Sequence, residues 1–483
     1  MNNTPVKLTI LQMNDSHAYF RPHQELFWEG GQAVYRPAGG YAEVAALVKS
    51  IRAEKDRSVL FFDCGDTMHG TYPAIQTKGG AMVPVLNALE LDAMTVHWEF
   101  AYGPKRLLEL ASQMRFPVLA ANVFSKDTGA PFLPPYAIKT VGPLRIGVIG
   151  LASNIVDKTM PPHFSEGIRF TMGEEELPTI VATLREKERA DMIILISHLG
   201  FPQEMKLLAK VPGIDVCLSG HTHNRLHAPV VQGGTVVMQS GCHGSFIGRL
   251  DLELRGGKIT HVLHRLIEVT GETGRDGDMA ALIDSVVAPY EDELNVVVGE
   301  TRTALNRNRM LETTMDNFLL ASIREACGTQ LAFSNGWRYG APVVQGPIRV
   351  NDLYNMIPMN PPLSTVELTG QEILDMLEEN LERTFSHDPY GQMGGDVKRG
   401  LGLTVFLKIE NPAGHRVQQI FIGSEALQRD ATYTAAFVTD QGVAKKYGRN
   451  RKDLPIRAVE AMTNYLAGHS PLSVELAGSF VAV

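Results

Sequence analysis

The stretch KLTILQMNDSH (7–17) opens as a run of Leu, Ile and Thr and closes on an aspartate and a histidine two residues apart. A brief apolar run bounded by turn formers reads as a buried strand, which puts Asp15 and His17 at its carboxyl end. The same arrangement recurs along the first half of the chain. SVLFF (58–62) is followed by Asp63-Cys64-Gly65-Asp66, DAMTV (92–96) by His97, and DMIILIS (191–197) by His198. IDVCLSG (214–220) is followed by His221-Thr222-His223. Open α/β sheets assemble their sites at the carboxyl ends of strands, so five strand ends bring Asp and His toward one crevice.

The chemistry this pattern suits is that of two adjacent divalent cations. Asp15 and His17, at i and i+2 on an extended chain, point to the same side and can grip one ion. Asp66 carries two oxygens and can bridge both ions. His221 and His223 share the i, i+2 spacing, and each can serve a different ion. Mixed imidazole and carboxylate donors favour Mn, Zn or Fe over Ca or Mg. Taken singly, each piece is ordinary: an isolated DxH caps a turn, and an isolated His after a strand is a satisfied polar residue. Their repetition at separate strand ends is what carries the reading.

Between the strands lie helical stretches, YAEVAALVKSIRAEK (41–55) and ELPTIVATLREKER (176–189), and LRIGVIG (144–150) and TVVMQ (235–239) add two more buried strands. This is α/β layering with covered sheets. Near residue 271 the polar, glycine-rich GETGRDGD interrupts the pattern. Met279, Leu282, Ile283, Val286 and Val287 then recur at helical spacing as far as Pro289, which reads as a connector. Beyond it, TTMDNFLLASIREAC (313–327) and TGQEILDMLEENLER (369–383) are amphipathic, while LTVFLKI (403–409) and ATYTAAFV (431–438) are strand-like. The expected division is 1–270, a connecting segment 271–298, and 299–483.

Composition bounds the class. With 483 residues and a formal charge of -8, the chain has no bias toward a nucleic acid polymer or an acidic membrane as partner. No window reaches the roughly 18 apolar residues of a membrane span. The N-terminus lacks a signal peptide's long apolar region, and the four cysteines show neither CxxC spacing nor a disulfide framework. The expectation is a cytoplasmic protein.

With these residues in hand, the chain resembles the 5′-nucleotidase family of calcineurin-like metallophosphoesterases. NDSHAYF (14–20), DCGDTMHG (63–70), ISHLG (196–200), SGHTH (219–223) and GSFIGRLDLEL (244–254) resemble its metal domain in order and spacing. GTQLAFSNGWRYG (328–340), IRVNDLYNMIP (348–358) and VELTGQEILDML (366–377) resemble its C-terminal substrate domain. The resemblance implies a four-layer αββα N-terminal domain, a connecting helix and a C-terminal α/β domain. It implies one cation held by Asp15, His17, Asp66 and His223, and another held by Asp66, His198, His221 and the residue at position 97. Manganese is the expected metal, with zinc or iron as alternatives, and the expected partner is a small-molecule ester.

At the third strand end the chain departs from the family pattern. Where most members read GNHEFD, this chain reads Val96-His97-Trp98-Glu99-Phe100-Ala101. His97 stands in place of the metal-binding asparagine, with the amide of Asn122 as the alternative ligand. Trp98 and Ala101 replace the histidine–aspartate pair that stabilises the transition state or protonates the leaving group. The thiosulfohydrolases of the bacterial sulfur-oxidation system (SoxB) share HWEF, and also have counterparts of AGGYAEVA (38–45), MDNFL (315–319), SNGWRYG (334–340) and DPYGQMGGD (388–396). The chain resembles that branch most.

The resemblance implies hydrolysis of a small sulfonate or phosphate ester by water activated between the cations, with His97, Trp98 and Arg338 at the reacting centre. Arg309 and Arg338 match the family's oxyanion-gripping arginines, and guanidinium suits any tetrahedral oxyanion. Trp337 and Tyr339 flank Arg338 as candidate pocket walls, and YGQMGGD (390–396) is a substrate loop or a simple turn. The nucleotidases' aromatic base clamp has no counterpart: Pro358-Met359-Asn360-Pro361 occupies its first position. A conventional phosphomonoesterase using another acid, His69 or His243, is the alternative within the class. A catalytically weak metal-binding scaffold is the alternative outside it.

Overall fold

The computed structural model describes residues 5–483, which divide into two compact units. The first comprises residues up to His23 and Pro37–Pro289, the second Gln24–Arg36 and Tyr290–Val483.

Two sheets form the heart of the first unit. One has the order Lys258–Glu268, Phe246–Arg255, Val6–Met13, Ser58–Asp63, Ala93–Met94. The other has the order Val230–Gln232, Thr235–Met238, Val216–Ser219, Met192–Ser197, Leu144–Leu151, Tyr136–Val141. Alternation along the strands assigns each face. In Met192–Ser197, Ile194 and Ile196 join Leu8, Ile10, Leu60 and Phe62 in a core between the sheets. Ile193 and Leu195 face the opposite way, among Leu177, Leu184 and Leu207 of the covering helices Glu176–Glu186 and Phe201–Lys210. Helix Tyr41–Arg52 covers the first sheet through Val44, Val48 and Ile51. The result is the expected αββα sandwich, its strands apolar on both faces because both are covered.

Parallel pairing orients the strands. Val6–Met13, Ser58–Asp63 and Ala93–Met94 run together, as do Leu144–Leu151, Met192–Ser197, Val216–Ser219 and Thr235–Met238. Their carboxyl ends therefore open in common directions, and among the described residues no helix is long and apolar enough to cross a membrane.

The helix expected as a connector forms at Gly277–Val287, capped by the Asp276 side chain. Its stripe of Met279, Ala280, Ile283 and Val287 is buried in the first unit's core, and the second unit begins at Tyr290. The periodicity noted in the sequence is thus a core-facing face. A second difference is early in the chain: the hairpin His23–Glu29 and Gln32–Ala38, turning at Gly30-Gly31 with positive φ at both, lies largely in the second unit. Tyr35 accepts a hydrogen bond from Asn306 there at 2.9 Å. Nothing local in the sequence announces so distant an association.

The second unit carries a five-stranded sheet, Asp396–Leu401, Leu331–Gly336, Thr432–Val438, Pro362–Thr369 and Arg449–Arg457. Helix Gly370–Phe385 packs Ile373, Met376, Leu377 and Leu381 against it and starts at a Thr369/Glu372 capping box. A smaller sheet joins Leu403–Leu407 to Val417–Ile422 and Phe480–Ala482.

Gly150, inside strand Leu144–Leu151, leaves no room for a side chain, because an added Cβ would collide with the carbonyl oxygen of Leu119. Gly150→Ala is expected to cost about 1–3 kcal/mol by overpacking, read as a lower urea midpoint of the first unit.

Candidate metal centre

Seven side chains converge where the sequence expects them. Asp66, His97, His198 and His221 form one group, and Asp15, His17 and His223 another, with the ligating atoms in each group within 4.8 Å of one another. His198 Nε2 lies 3.2 Å from Asp66 and 3.5 Å from Asp15. His223 Nε2 is 3.2 Å from Asp15, and His97 Nδ1 is 3.0 Å from Asp66. His221 and His223 fall in different groups. Asp66 stands in the first group, and its charge also acts on His17 and Asp15.

The local backbone is not the extended chain expected from the i, i+2 spacing. Asp15, His17, Asp66, His221 and His223 all have φ between 50° and 72°. Side chains other than glycine avoid this left-handed region, and such outliers gather at sites that the surrounding structure over-determines. The restraints are visible. Asp15 Oδ2 accepts from Asn14 Nδ2 at 2.8 Å and from the His221 amide at 2.9 Å. The Gln239 side chain, fully buried, donates to Ser219 Oγ at 2.6 Å and to the Gly220 carbonyl at 2.7 Å, and accepts from the Asn224 amide. It thereby holds both ends of the loop that carries His221 and His223. Glu99 accepts from the amides of His97, Thr67 and Met68, fixing the loops of His97 and Asp66 together. Gly70 lets its loop pass against His17, whose carbonyl oxygen and Cβ would meet any added Cβ.

The HWEF segment divides its two aromatic side chains. His97 points into the cluster, 4.9 Å and 5.0 Å between ring centroids from His198 and His221. Trp98 donates its amide to Asp66 Oδ1 at 2.8 Å, while its ring stacks on His69 at 4.5 Å and contacts Phe164. Ala101 is buried and apolar. Asn122, the alternative ligand, donates to the carbonyls of Ala152 and Thr171 and accepts from the Ala152 amide. Its polar atoms are committed to backbone. His243 lies beside Tyr19, ring centroids 4.8 Å apart, with Cys242 Sγ 3.5 Å from its Nδ1. The four cysteines form no disulfide.

The donor set fits cations on physical grounds. His97 Nε2 is buried without a hydrogen-bond partner, a costly arrangement unless something else meets its lone pair, while Asp15 Oδ1 and His198 Nε2 meet only other members of the cluster, at 3.2–3.5 Å. Burial would raise both carboxylates, yet His198 and His223 hold Asp15 low, and His97 and His198 hold Asp66 low. Burial opposes a charge on His198, but Asp66 and Asp15 overcome it and push the imidazole up to about 10. His223 reaches about 9, burial being outweighed by Cys242 and Asp15. Burial takes His17 down to about 3. Two positions in the metal-free protein are therefore occupied by protons that a divalent ion would replace.

The remaining candidates lie in the second unit. Arg338 is partly buried, its Nη1 3.9 Å from Asp396 Oδ1. Trp337 and Tyr339 are only 5 % exposed, with ring centroids 5.9 Å apart, so they pack more than they line an open pocket. Arg309 is exposed. YGQMGGD forms a short 3-10 turn at Pro389–Gly391 and leads into strand Asp396–Leu401. Sequence reasoning overlooked Arg307, which is buried beside both aromatic rings. Its side chain matches that of Arg309 two residues on, and only tertiary contacts separate them. Gln239, Glu99 and Asn14 were overlooked for the same reason.

Comparison with known proteins agrees with the family resemblance. Residues 286–440 match the model of the 5′-nucleotidase C-terminal domain. A 5′-nucleotidase of Vibrio cholerae is 25% identical, the alignment covering 88% of this chain and 83% of that protein. Protein UshA of Escherichia coli is 24% identical over 77% of this chain and 76% of its own. Among solved structures, the sulfate thiohydrolase SoxB of Thermus thermophilus has a TM-score of 0.92 and 26% identity, covering 99% of this chain and 96% of that one. A 5′-nucleotidase precursor of Thermus thermophilus has a TM-score of 0.86 and 25% identity, covering 99% of each.

Two outcomes are expected of this centre. Because His198 and His223 bind protons more tightly folded than unfolded, those protons stabilise the metal-free fold fully below pH 6.5. That contribution fades as the pH rises toward about 9 and 10. Manganese titration at pH 7 should accordingly release protons into a weakly buffered solution, and apparent affinity should climb with pH. Gln239→Leu should weaken metal binding by about 10–100-fold, as loss of an outer hydrogen-bonding partner does, measured by equilibrium titration.

Proposed function

We propose that this hydrolase of ester bonds, which shares its whole fold with the 5′-nucleotidases and SoxB, uses two divalent cations to split a small sulfonate or phosphate ester. The leaving group it suits is one that departs without a proton donor. The observation that supports this is the pairing of seven His and Asp side chains that could hold metal ions with Trp98 stacked on His69 and with an apolar, buried Ala101.

When bound, the cations would lower the pKa of a coordinated water and neutralise charge on the substrate's oxygens. The chain's own residues set the rest. Asp15, His17 and His223 would hold one ion, and Asp66, His97, His198 and His221 the other. Trp98 offers an apolar face and an indole N–H that does not ionise as an acid, so the wall it forms supplies no proton. Arg338 and Arg309 are assigned to the non-reacting oxygens of the substrate.

Energetics then sort the leaving groups. A positioned general acid is commonly worth about 10²–10⁴-fold in rate, and an alkoxide leaving group needs that help. A thiolate, whose parent thiol has a pKa near about 8.5, needs little. The arrangement therefore favours a sulfur, anhydride or phenolic leaving group over a sugar hydroxyl. The names of the curated relatives favour a second reading, a nucleotidase drawing its proton from elsewhere.

A panel of AMP, a nitrophenyl phosphate and cysteine S-sulfonate, assayed with Mn²⁺, separates these. Turnover of the nitrophenyl ester or the S-sulfonate well above AMP is expected; dominant AMP turnover would establish the second reading. Trp98→His combined with Ala101→Asp should raise alkyl phosphate turnover relative to nitrophenyl phosphate, by up to about 10²-fold if the pair acts as an acid.

A further inference from the structure

The second unit contains a chain of buried charges, Arg307, Asp316, Arg399 and Asp396. Asp316 lies in the first turn of helix Thr314–Cys327, capped by Thr313, and is fully buried. Its two oxygens serve two different arginines. Oδ1 accepts from Arg307 Nε at 2.9 Å, and Oδ2 accepts from Arg399 Nε at 2.9 Å. Thr313 Oγ1 adds a further hydrogen bond to Oδ2 at 2.8 Å.

Each arginine then reaches past Asp316 to grip backbone. Arg307 Nη1 donates to the carbonyls of Tyr339 and Met356, both at 2.8 Å. Its guanidinium also lies 5.7 Å from the Trp337 ring and 5.5 Å from the Tyr339 ring, so it touches the residues on both sides of Arg338. Arg399 donates to the Arg309 carbonyl at 3.0 Å and to the Met310 carbonyl at 2.6 Å. Its Nη2 also contacts Asp396 at 3.3 Å, and the other oxygen of Asp396 is the one nearest Arg338. Asp316 thus fixes, through one arginine, the backbone beside Arg338 and, through the other, the backbone of Arg309.

We propose that Asp316 is a positioning residue that sets the spacing of the two oxyanion-gripping arginines, with Arg307 and Arg399 as its two arms. This rests on the assignment of Arg309 and Arg338 to the substrate's oxygens. The physical case is one of rigidity. Two long side chains that must meet a single small tetrahedral anion lose affinity if their anchor points wander, because freedom not removed in the free protein has to be surrendered on binding. An aspartate buried between two guanidinium groups, each hydrogen-bonded to carbonyls, removes that freedom for both at once. Nothing about Asp316 requires two buried arginines merely to cap a helix, since Thr313 already does so.

The test uses the full-length, manganese-loaded protein and whichever ester of the panel it turns over best. Arg338→Met and Arg309→Met establish the premise by raising KM; if neither moves KM, the assignment of those arginines fails and the proposal with it. Given the premise, Asp316→Asn, Arg307→Lys and Arg399→Lys should each raise KM by roughly tenfold or more with kcat within about threefold of wild type, the signature of lost uniform binding. Competitive inhibition by inorganic phosphate should weaken in parallel, and manganese stoichiometry should stay unchanged. Folded Arg307→Lys and Arg399→Lys proteins with wild-type KM would overturn the proposal, and they decide it alone if Asp316→Asn does not fold. A fall in kcat with KM unchanged would overturn it equally.

Discussion

Two ionised carboxylates, Asp15 and Asp66, are buried at the ends of neighbouring strands, and the first unit is organised around making that tolerable. Charge removed from water must be compensated, and taking away one partner of a buried pair costs about 3–5 kcal/mol. Here the compensation is a ring of imidazoles, His17 from the loop of Asp15 itself and the others from three further loops. That demand explains the left-handed backbone at five of the seven cluster residues. No regular strand end aims so many side chains at one point, so the loops bend sharply and are tied down by Asn14, Glu99 and Gln239. The sandwich supplies the rigidity against which this strain is held.

Much of this was legible in the sequence. KLTILQM, DMIILIS and TVVMQ form strands within a residue or so of where their apolar runs lie, because a doubly covered strand has no option but to be apolar throughout. The seven cluster residues were legible because Asp and His follow those runs directly. What was not legible depends on long-range contact. His261 and His264 dilute the apolar pattern of Lys258–Glu268, a half-exposed edge strand. The hairpin at His23–Ala38 carries no local signal of which unit it joins. Arg307 and Arg309 are indistinguishable in sequence, yet one is buried among aromatic rings and the other is exposed.

His97 and Trp98 show how one dipeptide can divide its labour. Successive residues at a tight turn face different ways, so the imidazole enters the cluster while the indole builds a wall on His69. One side chain thus joins the imidazoles around Asp66 and the other presents an apolar surface. The metal cluster and the charged network around Asp316 follow the same logic: each buries opposite charges in alternation, so that no single group is left to carry the desolvation cost alone.

The path of the chain has a consequence for biogenesis. Residues 24–36 leave the first unit and associate with partners that begin at Tyr290, 254 positions after Arg36 (290 − 36). At a translation rate of roughly 5–20 residues per second, that two-stranded ribbon waits roughly 10 to 50 s on the ribosome before its partners exist. An isolated hairpin is marginal in water, and Trp28 on this one is 64% exposed. The nascent polypeptide therefore carries this ribbon unpaired until the second unit is made, and the first unit's own sheet waits almost as long, since strand Val6–Met13 pairs with Phe246–Arg255.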